Sequence, residues 1–367
     1  MEPLGKTFRH LSRTEKLEEL VIKGWLSEEN KNVLLNNPLI SEEIANSLIE
    51  NVIGQGTLPV GLLPEINVDG KSYVVPMMVE EPSVVAAASY GAKLVNQTGG
   101  FKVIASERLM IGQIVFDSVT NTAVLEEQLQ QLEVQMKRIA DEVYPSIIER
   151  GGGFRKIEID TFPNEGLVSL KIYVDTKDAM GANMLNTILE GITAYLKNEL
   201  EHVDILMSIL SNHATASVVK VQGEISVDAL SKGGRDGKDV AKRMERASVL
   251  AQVDIHRAAT HNKGVMNGIH AVVLATGNDT RGAEATAHAY ASKDGQYRGL
   301  ATWHYNEEKQ VLVGTIEVPM TLATVGGGTK VLPIAKASLE LMNVDSAQEL
   351  GHVVAAVGLA QNFAACR

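Results

Sequence analysis

The middle of the chain switches its hydrophobic period repeatedly, and that switching restricts the fold more than any other feature. Residues 110–116 read as a strand. Leu125, Leu129, Leu132, Met136, Ile139 and Val143 then recur at alternating four- and three-residue spacing, which is one face of an amphipathic helix. Pro145 and Gly151-Gly152-Gly153 end that helix, and the heptads are too few for a coiled coil. Two alternating segments follow at 154–160 and 167–175, then a helical run at 184–200 and a strand-like run at 215–225. A strand-helix-strand-strand-helix-strand order predicts a compact α+β domain, inserted over residues 106–214.

The flanking sequence reads as a second domain, since 367 residues exceed what one core usually serves. Residues 12–50 are helical in pattern, with apolar positions at Leu17, Leu20, Val21 and Leu26 and again at Ile44, Leu48 and Val52. Pro59, Gly61 and Pro64 mark turns. Ile66-Asn67-Val68 and Tyr73-Val74-Val75 flank Asp69-Gly70, a strong two-residue hairpin signal. A helix follows with Pro82 in its first turn, which places Glu81 at the entrance. After Gly237 the chain is helical, then supplies a short apolar strand at 271–275 just before Thr276-Gly277-Asn278-Asp279. Residues 312–317 read as another strand, Val325-Gly326-Gly327-Gly328-Thr329 as a loop, and 346–365 as a final helix.

Composition removes several classes of function. The net charge of −11 and the lack of any Lys/Arg block argue against nucleic acid as a partner. Cys366 is the sole cysteine, so no internal disulfide forms and no zinc-ligand spacing arises, which favours a reducing, cytoplasmic setting. The first twenty residues, with Lys6, Arg9, Arg13 and Lys16 among acids, lack a signal peptide's apolar centre. The longest apolar stretches, 84–94 and 353–365, are interrupted by Ser, Lys, Gly, Gln or Asn, so a soluble protein with no membrane partner is expected.

Four polar islands interrupt the apolar sequence: Glu80-Glu81-Pro82-Ser83, Asp178-Ala179-Met180-Gly181, Asn262-Lys263-Gly264 and Gly277-Asn278-Asp279. Each sets an ionisable group beside Gly or Pro in a place expected to be partly buried, where charge is costly unless paired or used. The Asp178 island follows a strand and opens a helix. It suits either an anion at the helix N-terminus or a simple Asp cap, and it lacks the glycine spacing of a conventional dinucleotide fold. Glycine clusters at 233–238 and 326–330 fail P-loop spacing. Lys263 and Asp279 suit an ammonium held over a carbonyl oxygen, or equally two unrelated surface loops. His256 and His261 fit no metal motif, and His352 reads as packed or exposed.

Taken in order, the islands and their neighbours resemble one family. Glu50-Asn51-Val52-Ile53-Gly54, the run from Glu80 to Ser89, Asp178-Ala179-Met180-Gly181-Ala182-Asn183, the run from His261 to Gly268, Ala275-Thr276-Gly277-Asn278-Asp279 and the Val325 cluster are similar to 3-hydroxy-3-methylglutaryl-coenzyme A (HMG-CoA) reductases of the bacterial-type class II. The resemblance covers nearly the whole chain. It implies a large α/β substrate domain, 1–105 and 215–367, with a smaller ferredoxin-like cofactor domain inserted at 106–214. It implies reduction of HMG-CoA to mevalonate and coenzyme A with two NAD(P)H, a step toward isoprenoid precursors, at a homodimer interface. Lys263 would hold the carbonyl oxygen, Asp279 would sit beside it, Glu81 would supply a proton and Asn267 would orient the lysine. Ser83, Arg257, Thr260 and Asn362 would bind the hydroxymethylglutaryl group. Asp178, Met180, Gly181, Asn183, Asn212 and Gly326 would contact the cofactor. No metal is implied.

Two departures shape the expectations. Family members continue into a C-terminal flap with a catalytic histidine, whereas this sequence ends at Arg367, and His352 lies outside the flap motif. A catalytically silent ligand-binding form is therefore the alternative reading. At the position where an NADH-using relative has an acidic residue stands Tyr144, and Arg150, Arg155 or Lys156 could pair with a 2′-phosphate, so NADPH is expected ahead of NADH.

Overall fold

In a computed structural model the chain divides into two units, Met1–Ser106 with Val219–Arg367, and Glu107–Val218. The structure describes residues 4, 8–36, 39–200, 203–231 and 233–367, and Lys6 lies outside them. The discontinuous unit begins with helices α1 (Arg13–Ile22), α2 (Glu28–Asn36) and α3 (Glu42–Leu48). Ser12 opens α1 with a capping box: it accepts from Glu15 N while Glu15 returns a bond to the Ser12 N–H. Strands β1 (Val60–Val68) and β2 (Lys71–Met78) pair antiparallel around Asp69-Gly70, whose φ values of 49° and 81° are those of a primed turn. Next come α4 (Val84–Asn96) and β3 (Lys102–Ser106). Pro82 stands outside α4 instead of in its first turn, because Ser83 takes a left-handed φ of 71° and the helix starts after it.

The continuous unit holds β4 (Met110–Asp117), α5 (Thr122–Gln131), α6 (Glu133–Val143), α7 (Pro145–Glu149), β5 (Gly153–Phe162), β6 (Leu167–Asp175), α8 (Ala182–Glu199) and β7 (Asp204–Leu210). Its sheet has the order β5-β6-β4-β7, antiparallel at every step, with helices α5, α6 and α8 supplying the apolar partners of one core. Two expectations need correction. The periodic stretch from Leu125 to Val143 is broken at Leu132 into α5 and α6. The closing strand is β7 and not residues 215–225; β7 hides itself because Leu206, Met207 and Ile209 are all about half exposed and do not alternate cleanly with polar residues.

The first unit resumes with β8 (Val218–Ser226), α9 (Val227–Leu230), α10 (Gly237–Val253), α11 (Ile255–Ala275), α12 (Thr280–Tyr290), β9 (Ala301–Asn306), β10 (Val311–Pro319), α13 (Gly327–Val331), α14 (Pro333–Met342) and α15 (Ala347–Cys366). Its second sheet runs β3-β8-β10-β9. Residues 271–275 are the last turns of α11, not a strand; a five-residue apolar run fits a buried helix equally well, and here the helix is already formed upstream. The glycine cluster at 326–328 is not all loop either, since Gly327 begins α13. Ser346 caps α15, which is buried from Val353 to Phe363 and forms the axis of the unit. Its approach to α4 depends on Gly91: a Cβ there would meet the Ala360 carbonyl oxygen at 2.1 Å. Among the described residues no helix is long and apolar enough to cross a membrane.

Candidate active site

The spacing of polar residues on α11 creates the site. Asp254 caps the helix by accepting from the backbone N–H groups of His256 and Arg257 at 3.3 and 3.2 Å. Arg257, Thr260, Lys263, Asn267 and His270 then follow at intervals of three and four, so they share one side of the helix. A neighbouring side packs closely on α15, where a Cβ on Gly264 would lie 2.6 Å from Ala365 Cβ. The link from β2 to α4 crosses the polar stripe. Lys263 Nζ lies 2.5 Å from Glu81 Oε2, and Asn267 Nδ2 donates to Glu81 Oε1 at 3.5 Å. A carboxylate 182 positions away in sequence is thus held by both oxygens.

Burial is not what the sequence suggested. Lys263 and Glu81 are 58% and 43% exposed, and Glu80, Pro82, Ser83 and Asp279 are exposed as well, because the stripe lies off the face that packs on α15. Asp279 does not meet Lys263 within the described residues. It caps α12, its Oδ1 accepting from Gly282 N at 3.0 Å, just after Gly277 ends α11 with a φ of 67°. Ser83 makes no capping bond with its hydroxyl, and Thr260 Oγ1 donates back to His256 O at 3.2 Å.

At the N-terminal end of the stripe Arg257 Nη2 donates to Ala365 O at 2.8 Å, while its buried Nε meets no partner among the described residues. An orphaned guanidinium donor of this kind suits an anionic ligand. Asn362 is fully buried and already engaged: Oδ1 accepts from Trp303 Nε1 at 2.9 Å, and Nδ2 donates to His261 O at 3.1 Å. His261 is buried too, and desolvation pulls its pKa down to about 4. Burial pushes the Cys366 thiol up to about 11. His352 bonds Ser106 Oγ at 2.8 Å.

A cavity of about 1470 Å³ lies along α1, β1, α4 and α14. Its walls are mostly apolar, and Arg9, Arg13, Lys16 and Lys93 line it. Sequence reading did not find it, because its cations are scattered over two helices and their approach.

In the other unit the Asp178 island forms the turn between β6 and α8. Gly181, not Asp178, is the N-cap residue, with a φ of 88° and a space in which a Cβ would meet Thr176 Cγ2 at 2.4 Å. The glycine N-cap offers no side chain to the first turn of α8, and a helix N-terminus of this kind favours an anion. Arg108 holds the turn from behind: Nε donates to Lys177 O and Nη2 to Ala179 O, both at 2.8 Å. No spacing or glycine signal pointed to Arg108. Met180 is half-buried beside Gly181, and Asn183 and Asn212 are exposed. Gly326 belongs to the other unit, at the N-cap of α13 with a φ of 82°. Of the three cations expected near a 2′-phosphate, Arg155 is bound to Gly151 O and Asp175, and Lys156 to Glu158 at 2.7 Å. Arg150 is exposed and makes no side-chain bond among the described residues.

A family model for hydroxymethylglutaryl-coenzyme A reductase matches residues 12–367. The chain belongs to that family. It is 41% identical over 364 residues to the 3-hydroxy-3-methylglutaryl-coenzyme A reductase of Archaeoglobus fulgidus, covering 98% of this chain and 81% of that one. It is 36% identical over 364 residues to a probable reductase of Borreliella burgdorferi, covering 99% and 82%. A class II HMG-CoA reductase of Streptococcus pneumoniae, solved bound to NADPH in open conformations, superposes with a TM-score of 0.94 at 43% identity over 98% of both chains. Family membership agrees with the resemblance read from the sequence motifs.

Proposed function

We propose that this protein reduces HMG-CoA to mevalonate: HMG-CoA + 2 NADPH + 2 H⁺ gives mevalonate, CoA–SH and 2 NADP⁺. The observation that carries the reading is the convergence of Lys263, Asn267 and Glu81 from distant segments. When bound, NADPH supplies the reducing equivalents, two in each of two rounds. Lys263 Nζ sits where it can donate to the thioester oxygen and then to the aldehyde oxygen, and a fixed positive charge there is worth most as negative charge develops. In the first round the C–S bond breaks and the thiolate leaves as CoA–SH after taking a proton. In the second, the new alkoxide oxygen takes a proton relayed through Glu81, whose ion-paired carboxylate first picks that proton up from solvent, while Asn267 keeps the carboxyl group facing Lys263. Arg257, with its unpartnered Nε, takes the free carboxylate of the hydroxymethylglutaryl group, flanked by Ser83 and Thr260. Asn362 supports that end by fixing His261 and Trp303.

The apolar cavity beside α4, with its four cations, suits a long ligand that is apolar along its length and phosphorylated at one end, as coenzyme A is. The glycine N-cap of α8, the Gly181 turn and Asp178, Met180 and Asn183 suit a dinucleotide, with Asn212 as a further contact. Arg150 is the cation left for a 2′-phosphate, and Tyr144 offers no carboxylate to repel one.

A homodimer, acting in the cytoplasm, completes the reading. Val249, Leu250, Val253 and Ile255 are 42–63% exposed around the α10–α11 corner, beside Arg257, which suits cover by a second copy. The partner would also enclose the open Lys263 and supply the second acid that Asp279 does not provide within one chain. The test is NADPH oxidation with HMG-CoA and, separately, with mevaldehyde. Consumption of two NADPH per mevalonate formed supports the proposal. Turnover of neither substrate by folded, NADPH-binding protein refutes it and leaves the silent form.

A further inference from the structure

A second cavity, of about 210 Å³, lies where the residues after α12 meet strands β8, β10 and β9. It is smaller than the roughly 300–1,000 Å³ of pockets for drug-sized ligands and several times the share of one water, about 30 Å³, so it suits a small molecule or ion. Hydrogen-bond donors dominate its wall. Lys220 comes from β8, Thr302 and Thr315 form a cross-strand pair of β9 and β10, and Lys293 and Arg298 come from the segment between α12 and β9. The carboxylate among them is already used. Glu317 Oε1 accepts from Lys293 Nζ at 2.7 Å and from the Tyr290 hydroxyl, and its Oε2 lies 3.4 Å from Lys220 Nζ. Asp294, also on the wall, is exposed. The Thr302 and Thr315 hydroxyls meet no acceptor among the described residues. Arg298 gives Nη1 to the Gln252 carbonyl and meets no carboxylate among them. A half-buried guanidinium, an ammonium and two hydroxyls around one space suit an oxyanion.

The wall that carries Arg298 is joined to the candidate active site. Asn262, fully buried and next to Lys263, donates from Nδ2 to Arg298 O and accepts at Oδ1 from Leu300 N, both at 2.8 Å. His261 Nε2 pairs with Ala301 O at 2.8 Å. Gly299 is pressed on α10 and α11: its N–H donates to Ala251 O at 3.0 Å, and a Cβ there would meet Gln252 Nε2 at 2.8 Å and the His261 ring at 3.0 Å. Residues 298–300 are thus a strap shared by the cavity and by the turn of α11 that carries Lys263. We propose that this cavity is an effector site for a small oxyanion, phosphate or a short dicarboxylate, whose binding speeds the reduction. An anion held between Lys220 on β8 and Arg298 on the strap ties the strap to the sheet, and so favours the state in which Asn262 keeps Lys263 toward Glu81.

The kinetic half of the test rests on the reductase reading, and the binding half does not. Inorganic phosphate and malonate are titrated separately, by calorimetry, into the full-length protein held with saturating NADP⁺ and coenzyme A, which fill the other phosphate sites. Ionic strength is fixed with KCl. One saturable site is expected for at least one of the two anions, with affinity about tenfold weaker in Arg298→Gln and in Lys220→Gln. Lys220 is 41% exposed, so its variant folds whatever Arg298→Gln does. In kinetics with saturating NADPH and with mevaldehyde, which carries no phosphate, the anion that binds is expected to raise kcat by at least about twofold in wild type and to leave Lys220→Gln unchanged. Binding of neither anion, equal affinity in the variants, or a kcat that the anion leaves unchanged or lowers overturns the proposal. If the wild type reduces nothing, the reductase reading fails, and the titrations still decide whether the oxyanion site exists.

Discussion

Replacing Lys263 by alanine separates catalysis from stability in this fold. The ammonium lies 2.5 Å from Glu81, but the two side chains are 58% and 43% exposed, so solvent screens the pair and its contribution to stability is about 0–1 kcal/mol. Alanine is also the better helix former in the middle of α11, and Gly264 beside it keeps the α15 contact untouched. A melting shift of no more than about 2–4 °C is expected for a loss of that size. Catalysis is another matter. A preorganised donor over a developing oxyanion is worth about 2.7–4 kcal/mol, or a factor of about 10²–10³ in kcat. The assay is NADPH absorbance with HMG-CoA and with mevaldehyde, alongside a thermal scan of each protein. Both activities should fall by that factor while the melting temperature barely moves. A kcat within about threefold of wild type on either substrate would refute the role given to Lys263. A collapse of both stability and activity would refute the claim that the ion pair is structurally minor.

Further outcomes follow from other parts of the molecule. Arg108→Ala frees the Lys177 carbonyl, leaves that of Ala179 to Thr176 Oγ1 alone, and should raise KM for NADPH by about tenfold while leaving KM for HMG-CoA near wild type, read by steady-state kinetics. Gly181→Ala puts a Cβ 2.4 Å from Thr176 at a left-handed φ and should weaken NADPH binding in a fluorescence titration. Gly91→Ala drives a Cβ into the Ala360 carbonyl, and a thermal scan should show strong destabilisation or no soluble protein. Glu317 is partly desolvated, yet the Lys293 ammonium and Tyr290 hydroxyl outweigh that and hold its pKa at about 2. Its stabilising contribution is present above the ordinary carboxylate value of about 4.5 and is lost as pH falls toward 2. Glu317→Gln should thus melt below wild type at pH 7, and the gap should close in the acid range.

What could be read from the chain alone follows what is local. Asp69-Gly70, the final helix and the alternating segments after Gly153 announce themselves within a few residues, and each forms where expected. The apolar run at 271–275 does not, because five buried residues carry no period; only the helix begun at Ile255 decides it. β7 escaped because its exposed apolar side chains break the alternation that marks a half-buried strand. The candidate site shows the same division. Its motifs identify the family, but the approach of Glu81 to Lys263 is tertiary, and the stripe from Arg257 to His270 appears only once that segment is known to be one helix. Asn362 was read as a ligand contact from its motif, and its bonds to Trp303 and His261 could not be read from any spacing.

A structure of the protein with HMG-CoA bound tests the central claim most directly. The account predicts the thioester oxygen within hydrogen-bond distance of Lys263 Nζ, about 2.7–3.2 Å, with Glu81 on the same side of the carbonyl and coenzyme A along α4. A thioester lying beyond contact of Lys263 would contradict it.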